Sequence, residues 1–136
     1  MTLLDPLWYG VFTMGLLYSS VILDRYKHPR HLGDLAEPHA SFEDVNPLCG
    51  DRIRIDLRFV NGQIEAARFR GDACAISMAT ADLLVEMIEG EPLATVRKIT
   101  TNDLLHALEA QIRPARMKCV TLPLQVLTAA LAGAMQ

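Results

Sequence analysis

The sequence predicts an α+β fold, a small antiparallel sheet of about three strands packed against helices. Three observations predict it. Residues 52–60, RIRIDLRFV, alternate strictly between charged and apolar side chains. Asn61-Gly62 follows at once, a strong hairpin signal. After Cys74 the apolar spacing changes from two residues to three and four. Strands first and helices after, without strand–helix–strand alternation, give an antiparallel sheet covered by helices.

The elements follow in order. No charge lies between Asp5 and Asp24. A segment of that length approaches a membrane span, but it contains Pro6, Gly10, Gly15, two tyrosines and two serines, with no cationic flank before it. No membrane span is expected, and the lack of a basic leader and a small-residue cleavage site argues against a secretory signal. The segment reads instead as an amphipathic helix from about Gly15, with Leu17/Val21 and Tyr18/Ile22 at i,i+4 spacing, ending before Pro29. Met14 offers an alternative start, which would make residues 1–13 a mis-assigned extension. Otherwise they form an apolar arm suited to a partner subunit. Residues 14–136 then form one domain.

Residues 28–40 are rich in breakers and read as loop, and residues 41–45 as a short edge strand. In the first long strand Ile53, Ile55, Leu57 and Phe59 share one face, while Arg52, Arg54, Asp56 and Arg58 share the other. The basic face is either solvated or a dock for an acidic partner. The return strand, from Gln63 to Arg70, slips phase between Ile64 and Ala67/Phe69, and a bulge near Ala66 would turn all three to the core. A helix follows Cys74 with Ile76, Ala79, Leu83 and Met87 on its stripe and Asp82, Glu86 and Glu89 off it. Gly90 and Pro92 end it. A second helix, capped by Thr100 or Thr101, carries Leu104, Leu105, Leu108 and Ile112. After the basic connector RPARMK, the last helix starts near Thr121–Pro123 and carries Leu124, Leu127 and Leu131.

A chain of 136 residues can bury about two-thirds of its unfolded surface and needs no staples. A net charge of −3 argues against nucleic acid as a partner. Three cysteines are too few, and odd in number, for a disulfide framework, and suit a reducing cytoplasm. Each falls at an element boundary: Cys49 before the long strand, Cys74 between strand and helix, Cys119 before the last helix. Cys74 and Cys119 lie near helix N-termini, where the dipole favours a thiolate, and Arg116 and Lys118 add charge beside Cys119. Separations of 25 and 45 residues match no short zinc motif, so spacing alone also allows ordinary buried thiols. The stretch NPLCGD adds Gly50, which permits close backbone approach, and Asp51, either a hard-oxygen ligand beside soft sulfur or a turn-closing side chain. No histidine (His28, His31, His39, His106) has a ligand-type spacing to a cysteine.

At these residues the chain resembles the U-type iron–sulfur cluster assembly scaffolds (IscU, SufU and the N-terminal domain of NifU). The matching pieces are LYSSVILDRYKHPRHLG at 17–33, NPLCGDRIRI at 46–55, FRGDACAISMATA at 69–81 and RMKCVTL at 116–122, in the family's order. The resemblance implies that Cys49, Cys74 and Cys119 are the site cysteines and Asp51 the site aspartate. Together they would bind zinc or a transient iron–sulfur cluster. It implies a scaffold or sulfur carrier rather than a stand-alone enzyme, with a cysteine desulfurase and recipient apo iron–sulfur proteins as partners. The alternative it carries is a zinc-dependent sulfurtransferase that activates its desulfurase without carrying clusters.

Members differ before the third cysteine. The IscU kind has histidine there, while this chain has Lys118, similar to the RxKC of the SufU kind. SufU-like proteins, however, carry an insertion between the second and third cysteines that this chain lacks. Ile112-Arg113-Pro114-Ala115-Arg116 replaces the IscU chaperone motif, which speaks against Hsp70-type chaperone recognition. Ala73 stands where glycine is usual, and Pro123 interrupts the usual run after Cys119. By SufU analogy Cys49 is the expected sulfur acceptor, with Cys119 as rival. A protonated Lys118 has no lone pair, so it tunes the site's field or is simply solvated.

Overall fold

The computed structural model describes residues 19–134, in element order α1 (Ser20–Lys27), β1 (Ala40–Val45), β2 (Arg52–Val60), β3 (Gln63–Asp72), α2 (Ala75–Ile88), α3 (Leu93–Val96), α4 (Thr101–Leu108), a 3-10 turn (Pro114–Arg116) and α5 (Met117–Ala134). The expected apolar arm at 1–13, the alternative start at Met14 and the first turn of the expected helix lie outside the described residues. Among the described residues, no helix is long and apolar enough to cross a membrane.

The sheet is antiparallel, in the order β1-β2-β3. Strict alternation buries Ile53, Ile55 and Leu57 on one face. The hairpin turns at Asn61 and Gly62, both at positive φ, as a right-twisted two-residue turn requires. The slip in β3 is a bulge: Arg58 faces Ala66 while Phe59 faces Ile64, leaving Glu65 as the extra residue. Ile64, Ala67 and Phe69 are thereby all buried. Each such side chain taken out of water is worth up to about 1.5–3 kcal/mol, which sets the register.

Helices α2 and α5 cover this apolar face, and α1 packs on α2. Helix α2 is buried nearly all round. Asp82, expected off the apolar stripe and so near solvent, is fully buried. It accepts the backbone N–H groups of Arg30 (2.9 Å) and His31 (2.8 Å) and the Arg25 guanidinium (2.9 Å). A carboxylate is tolerated there because three donors replace its water. The loop it anchors then runs along β3, where Phe69 N–H donates to His31 O and Gly33 N–H donates to Phe69 O.

Two expected boundaries move. Helix α4 is capped at Thr100 by a capping box with Asp103, but it ends at Leu108, where Glu109 turns left-handed; Ile112 packs on the core from beyond the helix. Helix α5 starts at Met117 rather than near Thr121–Pro123. The 3-10 turn opened by Pro114 leads straight into it, so Cys119 lies inside the helix and Pro123 well past its first turn. The pull is apolar: Cys119, Val120 and Leu122 are all buried.

The basic face of β2 is paired within the chain. Arg54 and Arg70 meet Asp34, Arg58 meets Glu65, and Arg52 meets Glu43. Asp56 on that face is buried too, and Ser41 Oγ donates to it at 2.6 Å.

Candidate metal and sulfur site

Three loops or helix starts converge at one end of the sheet. The β1–β2 turn is closed by its own backbone: Asn46 N–H donates to Asp51 O at 2.8 Å and Gly50 N–H to Asn46 O at 2.7 Å. Asn46 Oδ1 accepts from Leu48 N–H, a side-chain-closed turn. Gly50 sits at φ +76, a conformation that costs glycine nothing. This turn pushes Leu48 and Cys49 outward, Leu48 being 80% exposed, and directs Asp51 inward, 7% exposed.

Gly71 lets β3 pass close beneath α2. A Cβ there would meet Ile53 Cδ1 at 2.8 Å and Met78 Sδ at 2.9 Å. Three residues on, Cys74 is the N-cap of α2, but its side chain makes no capping bond. Asp51, from the neighbouring turn, holds this N-cap residue instead: its Oδ1 accepts the Cys74 N–H at 3.2 Å. A carboxylate at a helix N-terminus is further stabilised by the dipole. Cys119 comes in on the first turn of α5, 6% exposed.

The outcome is a cluster in which one oxygen of Asp51 and the sulfurs of Cys74 and Cys119 all lie within 4.8 Å of one another. Sulfurs sharing one tetrahedral zinc stand about 3.8 Å apart, so small rotamer changes close the cluster on an ion. Two thiols and a carboxylate suit a borderline-soft cation. Cys49 does not belong to this cluster. It stays on the exposed turn, two residues from Asp51.

Sequence reasoning missed Ser77. Its hydroxyl, fully buried, lies 2.9 Å from the Cys119 carbonyl and 3.2 Å from Asp51 Oδ2, and the Cys74 sulfur is 3.7 Å from it. One side chain in the first turn of α2 thus touches all three members of the cluster. The available signal was its place three residues after an N-cap cysteine. Arg116, already read from the sequence as a charge beside Cys119, joins the cluster. The neighbouring Cys119 and Cys74 thiols push its guanidinium further toward the charged form. Burial pushes the Cys119 thiol up, against the pull of Arg116. Lys118 is exposed and borders a groove of about 490 Å³ with Asn46, Pro47 and Thr121.

The family model for the NifU-like N terminal domain matches residues 17–134. This chain belongs to that family. The NifU-like chain is 33% identical over 126 residues to the zinc-dependent sulfurtransferase SufU of Bacillus subtilis (strain 168), across 80% of this chain and 85% of that protein. It is 28% identical over 120 residues to the iron–sulfur cluster assembly scaffold protein IscU of Aquifex aeolicus (strain VF5), across 87% and 76%. Its fold is similar to the crystal structure of FiSufU from Fervidobacterium islandicum AW-1, described as a candidate iron–sulfur cluster assembly scaffold for the SUF system. The TM-score is 0.75 at 26% identity, covering 86% of this NifU-like chain and 98% of the other.

Proposed function

We propose that this chain is an iron–sulfur cluster assembly scaffold that accepts sulfur from a cysteine desulfurase and holds iron or a nascent cluster for delivery to apo-proteins. One observation carries the reading: Asp51, Cys74 and Cys119 converge within 4.8 Å while a second kind of thiol, Cys49, stands exposed beside them. A holding site and an accessible nucleophile are the two parts that sulfur loading needs.

Asp51, Cys74 and Cys119 would hold the ion, and Cys49 or a partner's group would complete the set. Sulfur arrives by thiol–persulfide exchange. The Cys49 thiolate attacks the outer sulfur of the partner's persulfide, the S–S bond there breaks, and the partner's cysteine leaves as thiolate. No electrons are gained or lost overall. Cys49 suits this step because it is open to a partner, whereas Cys119 is buried and its thiol is held up by burial. Three free thiols fit a reducing cytoplasm.

A second reading is favoured by Lys118, which stands directly before Cys119 and gives no ligand, and by the SufU relative. In it the same residues hold zinc, which would supply Lewis-acid stabilisation of thiolate, and the chain relays sulfur without carrying clusters.

Elemental analysis of protein purified from its own host separates them. Iron with labile sulfide supports the scaffold, and stoichiometric zinc without sulfide supports the relay. Neither metal sinks both. For the acceptor, Cys49→Ser incubated with a persulfide-charged desulfurase should fail to gain the mass of one sulfur atom, and loading at the wild-type rate would remove Cys49 from the role.

A further inference from the structure

Pro123 is the seventh residue of α5. In an α-helix the N–H of residue 123 would donate to the carbonyl of residue 119, and proline has no N–H. The Cys119 carbonyl therefore lacks its intrahelical donor, in a residue only 6% exposed. A buried carbonyl in that position needs a partner from elsewhere. The Ser77 hydroxyl, 2.9 Å away, is that partner.

The same hydroxyl faces Asp51 Oδ2 at 3.2 Å, but it carries one proton. Hydrogen bonds between a hydroxyl and an oxygen acceptor centre on about 2.7–2.8 Å, so the Cys119 contact is the better bond. Asp51 is held from its other side, through Oδ1, by the Cys74 N–H. Its Oδ2 is then buried, oriented and short of a donor, the condition in which a carboxylate oxygen takes a cation.

We propose that Ser77 is a positioning residue whose single hydroxyl proton is committed to the Cys119 carbonyl by Pro123, leaving Asp51 Oδ2 free to ligate. This rests on the metal-holding reading above.

Two variants and their combination test this. In metal-free protein, Ser77→Ala should lower the folding equilibrium constant about tenfold or more while Pro123 is present. In the Pro123→Ala background the helix supplies the missing donor and the hydroxyl turns to Asp51, so there the same substitution should restore the zinc affinity that Pro123→Ala lowers. A Ser77→Ala loss of less than about threefold with Pro123 present, read from urea unfolding, or no recovery of zinc affinity in the double variant, would overturn the assignment. The second readout is zinc affinity by competition with a chromogenic chelator. Pro123→Ala frees the hydroxyl to bond Asp51, so it should raise the stability of the metal-free fold yet weaken zinc binding about tenfold. A purely structural role for Ser77 gives no such opposition of sign. Unchanged zinc affinity in Pro123→Ala overturns the link to Asp51. A Ser77→Ala stability loss with no zinc binding by the wild-type chain leaves the hydroxyl assignment standing and removes the metal reading instead.

Discussion

The backbone N–H of Cys74 donates to Asp51 Oδ1 at 3.2 Å, so the carboxylate that completes the cluster also holds the N-cap residue of the helix that presents one of its thiols. Asp51 and Cys74 are 23 residues apart in sequence. Their bond ties the β1–β2 turn to the start of α2, and it makes the site and the fold share a residue.

That double role can be separated by substitution. Asp51→Asn keeps an oxygen acceptor for the Cys74 N–H, whereas Asp51→Ala removes it. The alanine variant should lose about 1–2 kcal/mol of stability and the asparagine variant distinctly less. Both should bind zinc more weakly than wild type, because both lack the ligand charge. Urea unfolding and chelator competition, run on the same preparations, check the two effects. Equal stability loss in the two variants would show that Asp51 does not hold the N-cap residue of α2.

Asp82 predicts a larger loss. It is fully buried and holds three donors, one of them the Arg25 guanidinium, whose side chain is 13% exposed. Asp82→Ala leaves two backbone N–H groups without an acceptor, while Arg25 keeps its pairing with Glu86. The expected cost is about 2–4 kcal/mol, measurable as a lowered urea midpoint with an unchanged slope. A loss under about 1 kcal/mol would mean that water reaches the loop at Arg30 and His31.

Glu86 predicts a pH dependence. Its carboxyl is held below the ordinary value of 4.5, first by the hydrogen bond from Arg25, with burial opposing and His31 adding a smaller pull. A depressed carboxyl contributes stability that is fully present above its unfolded value and lost as pH falls through its folded value. Glu86→Gln should therefore be less stable than wild type at neutral pH, and the gap should close as pH falls below 4.5. Its side chain is 47% exposed, so the gap should stay under about 1 kcal/mol. Stability curves for both proteins across that range check it, and a gap that widens on acidification contradicts the pairing.

Much of the fold could be read from pattern. Ile53, Ile55 and Leu57 announce β2 because the pleat repeats every two residues, and the phase slip at Ile64 announces a bulge because only one extra residue restores burial. Helix bounds were read less well where side-chain chemistry gave conflicting signals. Pro123 looks like a helix start in sequence, yet α5 begins at Met117, since apolar burial of Cys119 and Val120 outweighs one lost backbone bond. Asp82 looks solvated because periodicity carries no information about the loop that later lies on it. Ser77 was invisible as a site residue for a related reason. Its two oxygen partners come from positions 51 and 119, and no local window contains them.

Local pattern thus indicated the main elements and their order, because those follow from side-chain type and short-range period, while the site cysteines and Asp51 were singled out by the resemblance to the U-type scaffolds. Which of those residues meet was decided by packing. The sheet register and the seating of α5 bring Asp51, Cys74 and Cys119 together around Ser77, while the turn closed by Asn46 leaves Cys49 facing solvent. Those contacts join segments tens of residues apart, and burial of a common core, rather than any local preference, is what holds them in place.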